Sequence, residues 1–351
     1  PDFDTPQVIK DAAIAAINDG FNKYTAVQGI DELLEAVAFK LKRENNLNYP
    51  AKNIVVCSGA KHALFQLFAV LIDSDDEVII PTPAWVSYPE MVRYHKGRAV
   101  FVRTKAENGF KMTASELKAA ISPKTKAVVI GTPSNPVGAV YAKDELLALG
   151  EALKGTDIYV ISDEIYEKLI YGVSFNATAS VSDDMFRRTI TVNGLSKSVA
   201  MTGWRLGYLA TADEQIAKAV TKLQSQSTTN ASSIVQKAAI AALDGRADAD
   251  IENMCRIFSN RRKLALELCA NIDCLSAITP YGAFYLFISC EQVENDSMKF
   301  CMKLLEEGGV AAVPGVGFEQ EGYFRISFAA DEATIREGMA RIENFAHGYK
   351  R

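Results

Sequence analysis

Ahead of residue 53 the apolar positions recur at helical spacing. A lead-in over 1–10, with Asp4-Thr5-Pro6 as a start signal, opens a helix through 12–17, and an amphipathic helix covers 31–44. From residue 53 onward, short apolar or β-branched runs alternate with helical stretches. Strands are predicted at 54–57, 77–80, 99–102, 127–130, 158–162, 189–192 and 206–210, with helices such as 62–71, 115–121 and 143–153 between most of them. The alternation predicts an α/β fold: a large domain around a mostly parallel, doubly wound, seven-stranded sheet. The short link from Arg205 into the last strand predicts one antiparallel member. Around Asp244-Gly245-Arg246-Ala247-Asp248 the composition turns polar. A long helix to about 270 follows, then strands near 275–278, 284–289, 310–313 and 324–328 and helices over 297–307 and 332–345, which together read as a smaller α+β domain. The expected division is a lead-in at 1–10 associated with the small domain, a large domain at 11–247 and a small domain at 248–351. No internal repeat or low-complexity tract interrupts it.

At 351 residues the chain is long enough for two domains with a sizeable core. Its 48% hydrophobic and 23% charged residues are ordinary for a globular protein. A net charge of −5 without a basic block argues against nucleic-acid binding. No apolar run approaches a membrane span and no signal peptide opens the chain. Six cysteines without a Cys-x-x-Cys pair read as free thiols in a reducing cytoplasm. Three scattered histidines, His62, His95 and His347, give little from which to build a metal site or a Ser-His-Asp triad, so no metal is expected.

Function concentrates in the stretch 193–208, Asn-Gly-Leu-Ser-Lys-Ser-Val-Ala-Met-Thr-Gly-Trp-Arg-Leu-Gly-Tyr. It breaks an apolar strand with Asn193-Gly194, a turn signal, and sets Lys197 in that turn between two serines. A desolvated lysine at a strand end beside other cations loses its proton near neutral pH and becomes a nucleophile; Arg205 is placed to add such a cation. The plain alternative is a polar loop with a solvated lysine. Elsewhere, Ser58-Gly59-Ala60-Lys61 leads from a strand into a helix whose first amides suit a phosphate. Asp163 ends an apolar strand, where it is costly to bury unless paired or used as a helix cap. Arg325 lies inside an apolar strand and requires an anion, either a neighbouring carboxylate or a ligand.

The 193–208 block resembles the lysine signature of the class I/II pyridoxal-phosphate (PLP) aminotransferases of fold type I, closest to the gamma subgroup of aspartate aminotransferases. The resemblance implies that Lys197 holds the cofactor as a Schiff base, with Ser196 beside it, and that Arg205 grips its phosphate together with the amides of Ala60 and Lys61. It implies Trp85 stacked on the pyridine ring and Asp163 on the pyridinium nitrogen. Asn135, in Asn-Pro-Val-Gly with Val137 where the family usually has threonine, and Tyr166 would reach the phenolic oxygen. Arg325 would clamp the substrate α-carboxylate, with Asn135 and Trp85 also at the substrate. Lys61 in the Gly-x-Lys position would read a distal carboxylate. Tyr24, in Asn22-Lys23-Tyr24, would reach the phosphate of a neighbouring subunit, which implies a homodimer with shared sites. The chain opens at Pro1 without a methionine, and the resemblance implies a further segment ahead of it.

The resulting expectation is a cytoplasmic homodimer that exchanges the amino group between aspartate or glutamate and oxaloacetate or 2-oxoglutarate, with prephenate as an additional acceptor. Lys197 would be its general base and acid, supported by Asp163 and Tyr166. The alternatives on the same fold are a PLP carbon–sulfur β-lyase and an aminotransferase of different amino-acid specificity. A nucleotide-binding oxidoreductase lacks its Gly-x-Gly-x-x-Gly after the early strands, and a regulator carrying such a domain lacks a basic helix-turn-helix.

Overall fold

A computed structural model describes residues 2–349. In chain order, α1 (Gln7–Asn18) and α2 (Asp31–Asn45) precede β1 (Ile54–Cys57). Then α3 (Ala60–Leu71) leads to β2 (Glu77–Thr82), α4 (Ser87–Tyr94) to β3 (Arg98–Arg103), α5 (Ala114–Ala120) to β4 (Thr125–Gly131), and α6 (Lys143–Leu153) to β5 (Tyr159–Asp163). Next come α7 (Asp183–Arg188), β6 (Thr189–Gly194), the single turn α8 (Leu195–Ser198), β7 (Gly207–Thr211), α9 (Glu214–Ser227) and α10 (Ser233–Leu243). The remainder is α11 (Asp248–Ala270), β8 (Ser276–Ile278), β9 (Tyr285–Ser289), α12 (Ser297–Gly308), β10 (Val313–Pro314), β11 (Tyr323–Ser327) and α13 (Glu332–Gly348).

The first seven strands form one sheet in the order β1-β7-β6-β5-β4-β2-β3. Six run in one direction, and β7 alone is antiparallel to both its neighbours, as the short 199–206 link requires. Alternate residues of each strand serve opposite faces. In β1, Ile54 and Val56 enter the core under α2 and α10, while Val55 and Cys57 enter the core under α3 and α9. Coverage on both faces is why the central strands read as unbroken apolar runs. The edge strand β3 instead carries exposed arginines at both ends. Strands β8–β11 make a second, antiparallel sheet in the order β10-β11-β9-β8, with α11, α12 and α13 packed against it.

Three local expectations are corrected. The first helix starts at Gln7 rather than 12, and Asp4 caps none of its amides: the Asp4 carboxylate accepts from Thr5 N at 2.7 Å while Pro6 holds the cap position. The strand expected at 310–313 shrinks to Val313–Pro314. Gly309 (φ 65) closes α12 in the left-handed region, and Val310 N returns to Leu304 O, so those residues terminate a helix. No helix follows Asp163. Residues 165–168 form turns, and Asp163 Oδ1 accepts from Ile165 N at 3.3 Å.

The two sheets meet over the carboxyl ends of the first. Tyr281 N and Gly282 N both donate to Gly138 O, and a Cβ on Gly138 (φ +73) would lie 2.4 Å from Gly282 O. Ala84 N donates to Phe318 O at 3.1 Å on the other side of the same seam. The lead-in also spans it. Asp2 takes a two-pronged contact from Arg261 of α11, Phe3 packs edge-on against Phe258, and Thr5 Oγ1 donates to Ala200 O. No helix among the described residues is long and apolar enough to cross a membrane.

Candidate active site

At this seam lies a cavity of about 320 Å³, walled by Ala60, Lys61, Trp85, Asn135, Asp163, Tyr166, Ser196, Lys197 and Arg205 from the large sheet's loops and by Arg325 from β11. It opens beyond the carboxyl ends of β1, β2, β4, β5 and β6, where ligands of open α/β sheets bind. Every residue singled out from the sequence lines it except Tyr24, which stands 87% exposed on the surface, away from it.

Lys197 sits on α8, directly after β6. Its Nζ lies 5.3 Å from the Phe284 ring centre and 5.9 Å from that of Tyr166. Burial lowers its pKa, and the charges of Arg325 and Arg205 lower it further. The loop after it is strained. Ala200 (φ 53) and Arg205 (φ 58) both occupy the left-handed region, which side chains rarely adopt unless the surroundings enforce it.

That strained backbone aims Arg205 at the first turn of α3. Arg205 Nη1 donates to Thr202 O at 2.8 Å, and its Nη2 passes so close to Gly59 that a Cβ there would be 2.5 Å away. Gly59 itself is held at φ +94. Gly207 allows the second close approach: a Cβ on it would meet Ala60 N at 2.2 Å. An exposed guanidinium, the leading amides of a helix and the Ser196 hydroxyl thus face one corner of the cavity. Such a group of donors suits a multiply charged oxyanion.

Across the cavity, Asp163 ends β5 and is buried. Its Oδ2 accepts from Tyr88 Oη at 2.6 Å, and desolvation raises its pKa while the Tyr88 and Ile165 hydrogen bonds oppose the rise. Tyr166, three positions on, is buried with its hydroxyl 2.8 Å from that of Tyr285. The turn carrying both is tied to α2: Lys40 and Glu167 form a buried ion pair, and Asn45 Nδ2 donates to Glu167 Oε2 at 2.8 Å.

Arg325 is half-buried, less enclosed than its apolar strand suggested, because its head turns into the cavity. Nη1 donates to Asn135 Oδ1 at 2.8 Å, and the guanidinium carbon stacks 4.2 Å from the centre of the Tyr285 ring and 5.1 Å from that of Phe318. Its Nε has no hydrogen-bond partner among the described residues. Lys61 is exposed at the cavity mouth, its Nζ 4.7 Å from the centre of the Trp85 ring, a cation–π contact that directs it over the opening. Trp85 in turn packs edge-on against Tyr88.

Tyr88 and Tyr285 were missed as site residues. Tyr88 lies three positions after Trp85, which the resemblance had singled out, so a signal was present. Tyr285 sits in an apolar run, and nothing local distinguishes it from a core aromatic.

Comparison with known proteins gives consistent matches. The family model described as aminotransferase class I and II matches residues 1–342. The chain is 46% identical to an aspartate aminotransferase of Bacillus subtilis over 98% of this chain and 89% of that protein. It is 45% identical to a probable aspartate/prephenate aminotransferase of Rickettsia bellii, over 98% and 88% of the two chains. Among solved structures, the aspartate aminotransferase from Rhizobium meliloti superposes with a TM-score of 0.96 at 40% identity, covering 100% of this chain and 90% of that one. The Thermus thermophilus aspartate aminotransferase with maleate gives 0.95 at 41%, covering 98% and 89%.

Proposed function

The chain belongs to the class I and II aminotransferase family, and on that premise we propose that it is a PLP-dependent enzyme exchanging the amino group between aspartate or glutamate and the 2-oxo acids oxaloacetate and 2-oxoglutarate, with prephenate as a further acceptor. One observation carries the proposal. Lys197, Arg205, Arg325 and Asp163 all face one cavity, and none of them makes an ion pair with any described residue. Among them Asp163 is buried and Arg325 half-buried, and a charge held there without a counter-charge is costly unless a ligand supplies one. A phosphate and a carboxylate would satisfy the arginines, and a protonated ring nitrogen would satisfy Asp163.

The residues present fit PLP. Arg205, Ser196 and the amides of Ala60 and Lys61 would hold its phosphate, in the corner that Gly59 keeps open. Asp163 would hold a proton on the ring nitrogen, Asn135 and Tyr166 would hydrogen-bond the ring oxygen, and Trp85 would stack on the ring. Bound there, the cofactor supplies a carbonyl carbon that combines with amines and a ring that accepts an electron pair from the substrate α-carbon.

The chain's own residues do the rest. Arg325 binds the α-carboxylate, with Asn135 fixing one of its nitrogens. Lys61 meets the distal carboxylate at the mouth. Lys197, its proton affinity lowered by burial and the two arginines, takes the α-proton as base and returns it as acid. A homodimer with shared sites and a cytoplasmic setting belong to the same reading. Supporting them are the outward-standing Tyr24 and six cysteines that are all unpaired. The division at 11–247 and 248–351 also belongs to it, since Arg325 alone of the charged set comes from the second sheet.

The test is a visible spectrum of the PLP-treated protein together with an acceptor screen. We expect a visible band that Lys197→Ala abolishes, and ping-pong transfer from aspartate to 2-oxoglutarate. No band, or ammonia release without any oxo-acid acceptor, refutes the proposal.

A further inference from the structure

Tyr285 touches two functional groups that come from opposite sides of the seam. It lies on β9 in the second sheet and is buried. Its ring is the platform under the Arg325 guanidinium at 4.2 Å, on the neighbouring strand β11. Its hydroxyl lies 2.8 Å from that of Tyr166, on the turn after β5 in the first sheet. A buried tyrosine needs a hydroxyl partner, yet this pair could have been avoided by phenylalanine, which the neighbouring position Phe284 already uses.

In that pair either hydroxyl can be the donor. The ambiguity disappears once Tyr166 donates its single proton elsewhere. If Tyr166 donates to a ligand oxygen, as the reading above has it, its own oxygen is free only to accept, and Tyr285 becomes the donor. Hydrogen bonds chained head to tail in this way, the middle hydroxyl accepting one and donating the next, reinforce one another. Burial raises the Tyr285 pKa, and the hydrogen bond with Tyr166 and then the Arg325 charge against its ring oppose that rise.

We propose that Tyr285 is a positioning residue with two separable tasks: its hydroxyl orients and strengthens the Tyr166 hydroxyl as a donor, and its ring holds Arg325 in place for the substrate carboxylate. The proposal rests on the PLP reading above. The charged and titratable groups facing this pair are Lys197, Asp163, Tyr88, Arg205 and Arg325, and none of them contacts the Tyr285 hydroxyl in place of Tyr166.

Two variants separate the tasks. Tyr285→Phe keeps the ring and removes the hydroxyl, whereas Tyr285→Leu removes both. One readout is the pH midpoint of the visible absorbance change of the PLP-loaded protein; the other is the dissociation constant for maleate, a dicarboxylate that is not turned over. A donor on the ring oxygen opposes protonation beside it, so weakening Tyr166 raises the midpoint. For Tyr285→Phe we expect an upward shift of about 0.3–1 pH unit, the worth of one neutral hydrogen bond, with maleate binding within about twofold of wild type. Tyr285→Leu should show the same shift and also bind maleate about three- to tenfold more weakly, the scale of a lost cation–π contact. Tyr166→Phe is the reference, with a shift at least as large. If Tyr166→Phe moves the midpoint and Tyr285→Phe does not, or if Tyr285→Leu binds maleate like wild type, the inference is overturned while the PLP reading stands. A wild-type protein without a visible band overturns the PLP reading instead. A purely structural role for Tyr285 would lower the melting temperature with neither readout moving, and that result also overturns the inference.

Discussion

Replacing Gly59 by alanine puts a methyl group where the Arg205 guanidinium now lies. The ideal Cβ would be 2.5 Å from Nη2 and 3.0 Å from Cζ, distances that side-chain carbons do not tolerate. The backbone at φ 94, ψ 157 lies in a region essentially reserved for glycine, so the substitution also stores about 1–3 kcal/mol of strain. The guanidinium is the softer partner and would withdraw by roughly 1 Å to regain ordinary contact. That withdrawal is enough to forfeit one charge-assisted hydrogen bond to a bound phosphate, worth about 1.5–3 kcal/mol, or roughly ten- to a hundredfold in the cofactor dissociation constant. The assay is titration of cofactor-free protein with PLP, followed by absorbance, for Gly59→Ala, Arg205→Ala and the double variant. If Gly59→Ala acts by displacing Arg205, it should cost less than about threefold in the Arg205→Ala background, because the group it displaces is already gone. Wild-type affinity in Gly59→Ala, or losses that multiply independently, would refute the reasoning that this glycine exists to let the arginine reach the helix terminus.

Lys61→Ala should lower kcat/KM for aspartate and glutamate by roughly ten- to a hundredfold while sparing alanine and phenylalanine as donors; an equal loss for acidic and neutral donors would point to damage at Trp85, which Lys61 covers. Asp163→Asn should leave PLP bound but slow transfer by orders of magnitude, measured by single turnover, since an amide cannot hold a proton on the ring nitrogen by charge. Glu164 is fully buried and its pKa is raised from 4.5 to about 7, chiefly by desolvation and next by the charge of Glu167. The stability associated with its protonated form is complete below about 4.5 and is lost as pH climbs through about 7. Glu164→Gln, which keeps an oxygen for Thr178 N and Ser162 Oγ, should therefore melt above wild type near pH 8, with the gap closing near pH 5; a gap independent of pH would sink this account. Tyr24→Phe should weaken PLP binding only under conditions where the protein is dimeric by sedimentation, and equal weakening in monomer would remove the shared-site claim.

Short-range chemistry was legible in the sequence. The apolar runs at 54–57 and 127–130 become doubly covered strands, and the short link before β7 leaves no length for a crossover, so that strand had to be antiparallel. Lys197 does stand just after a strand, although Asn193 and Gly194 extend β6, pairing with Tyr208 and Gly207, rather than breaking it; the family resemblance named every charged residue that lines the cavity. The strand inferences depend on period and spacing within one stretch, which the local chain already contains; the set of site residues came from the resemblance.

What only the tertiary structure decided is who meets whom. Tyr88 reaches Asp163 across 75 positions, and Tyr285 reaches Tyr166 across 119. Lys40 finds Glu167 from a helix that precedes the whole sheet. Residue type alone cannot distinguish Tyr285 from Phe284 in an apolar strand, because the difference between a core ring and a working hydroxyl lies in what the opposite sheet brings to it. The same holds for Gly59: its sequence reads as an ordinary turn, and only the strained return of the chain at Arg205 shows which atom its missing side chain makes room for. Strand order and the packing of one sheet over the ends of the other set those meetings, and both are cooperative, long-range outcomes of burying apolar surface.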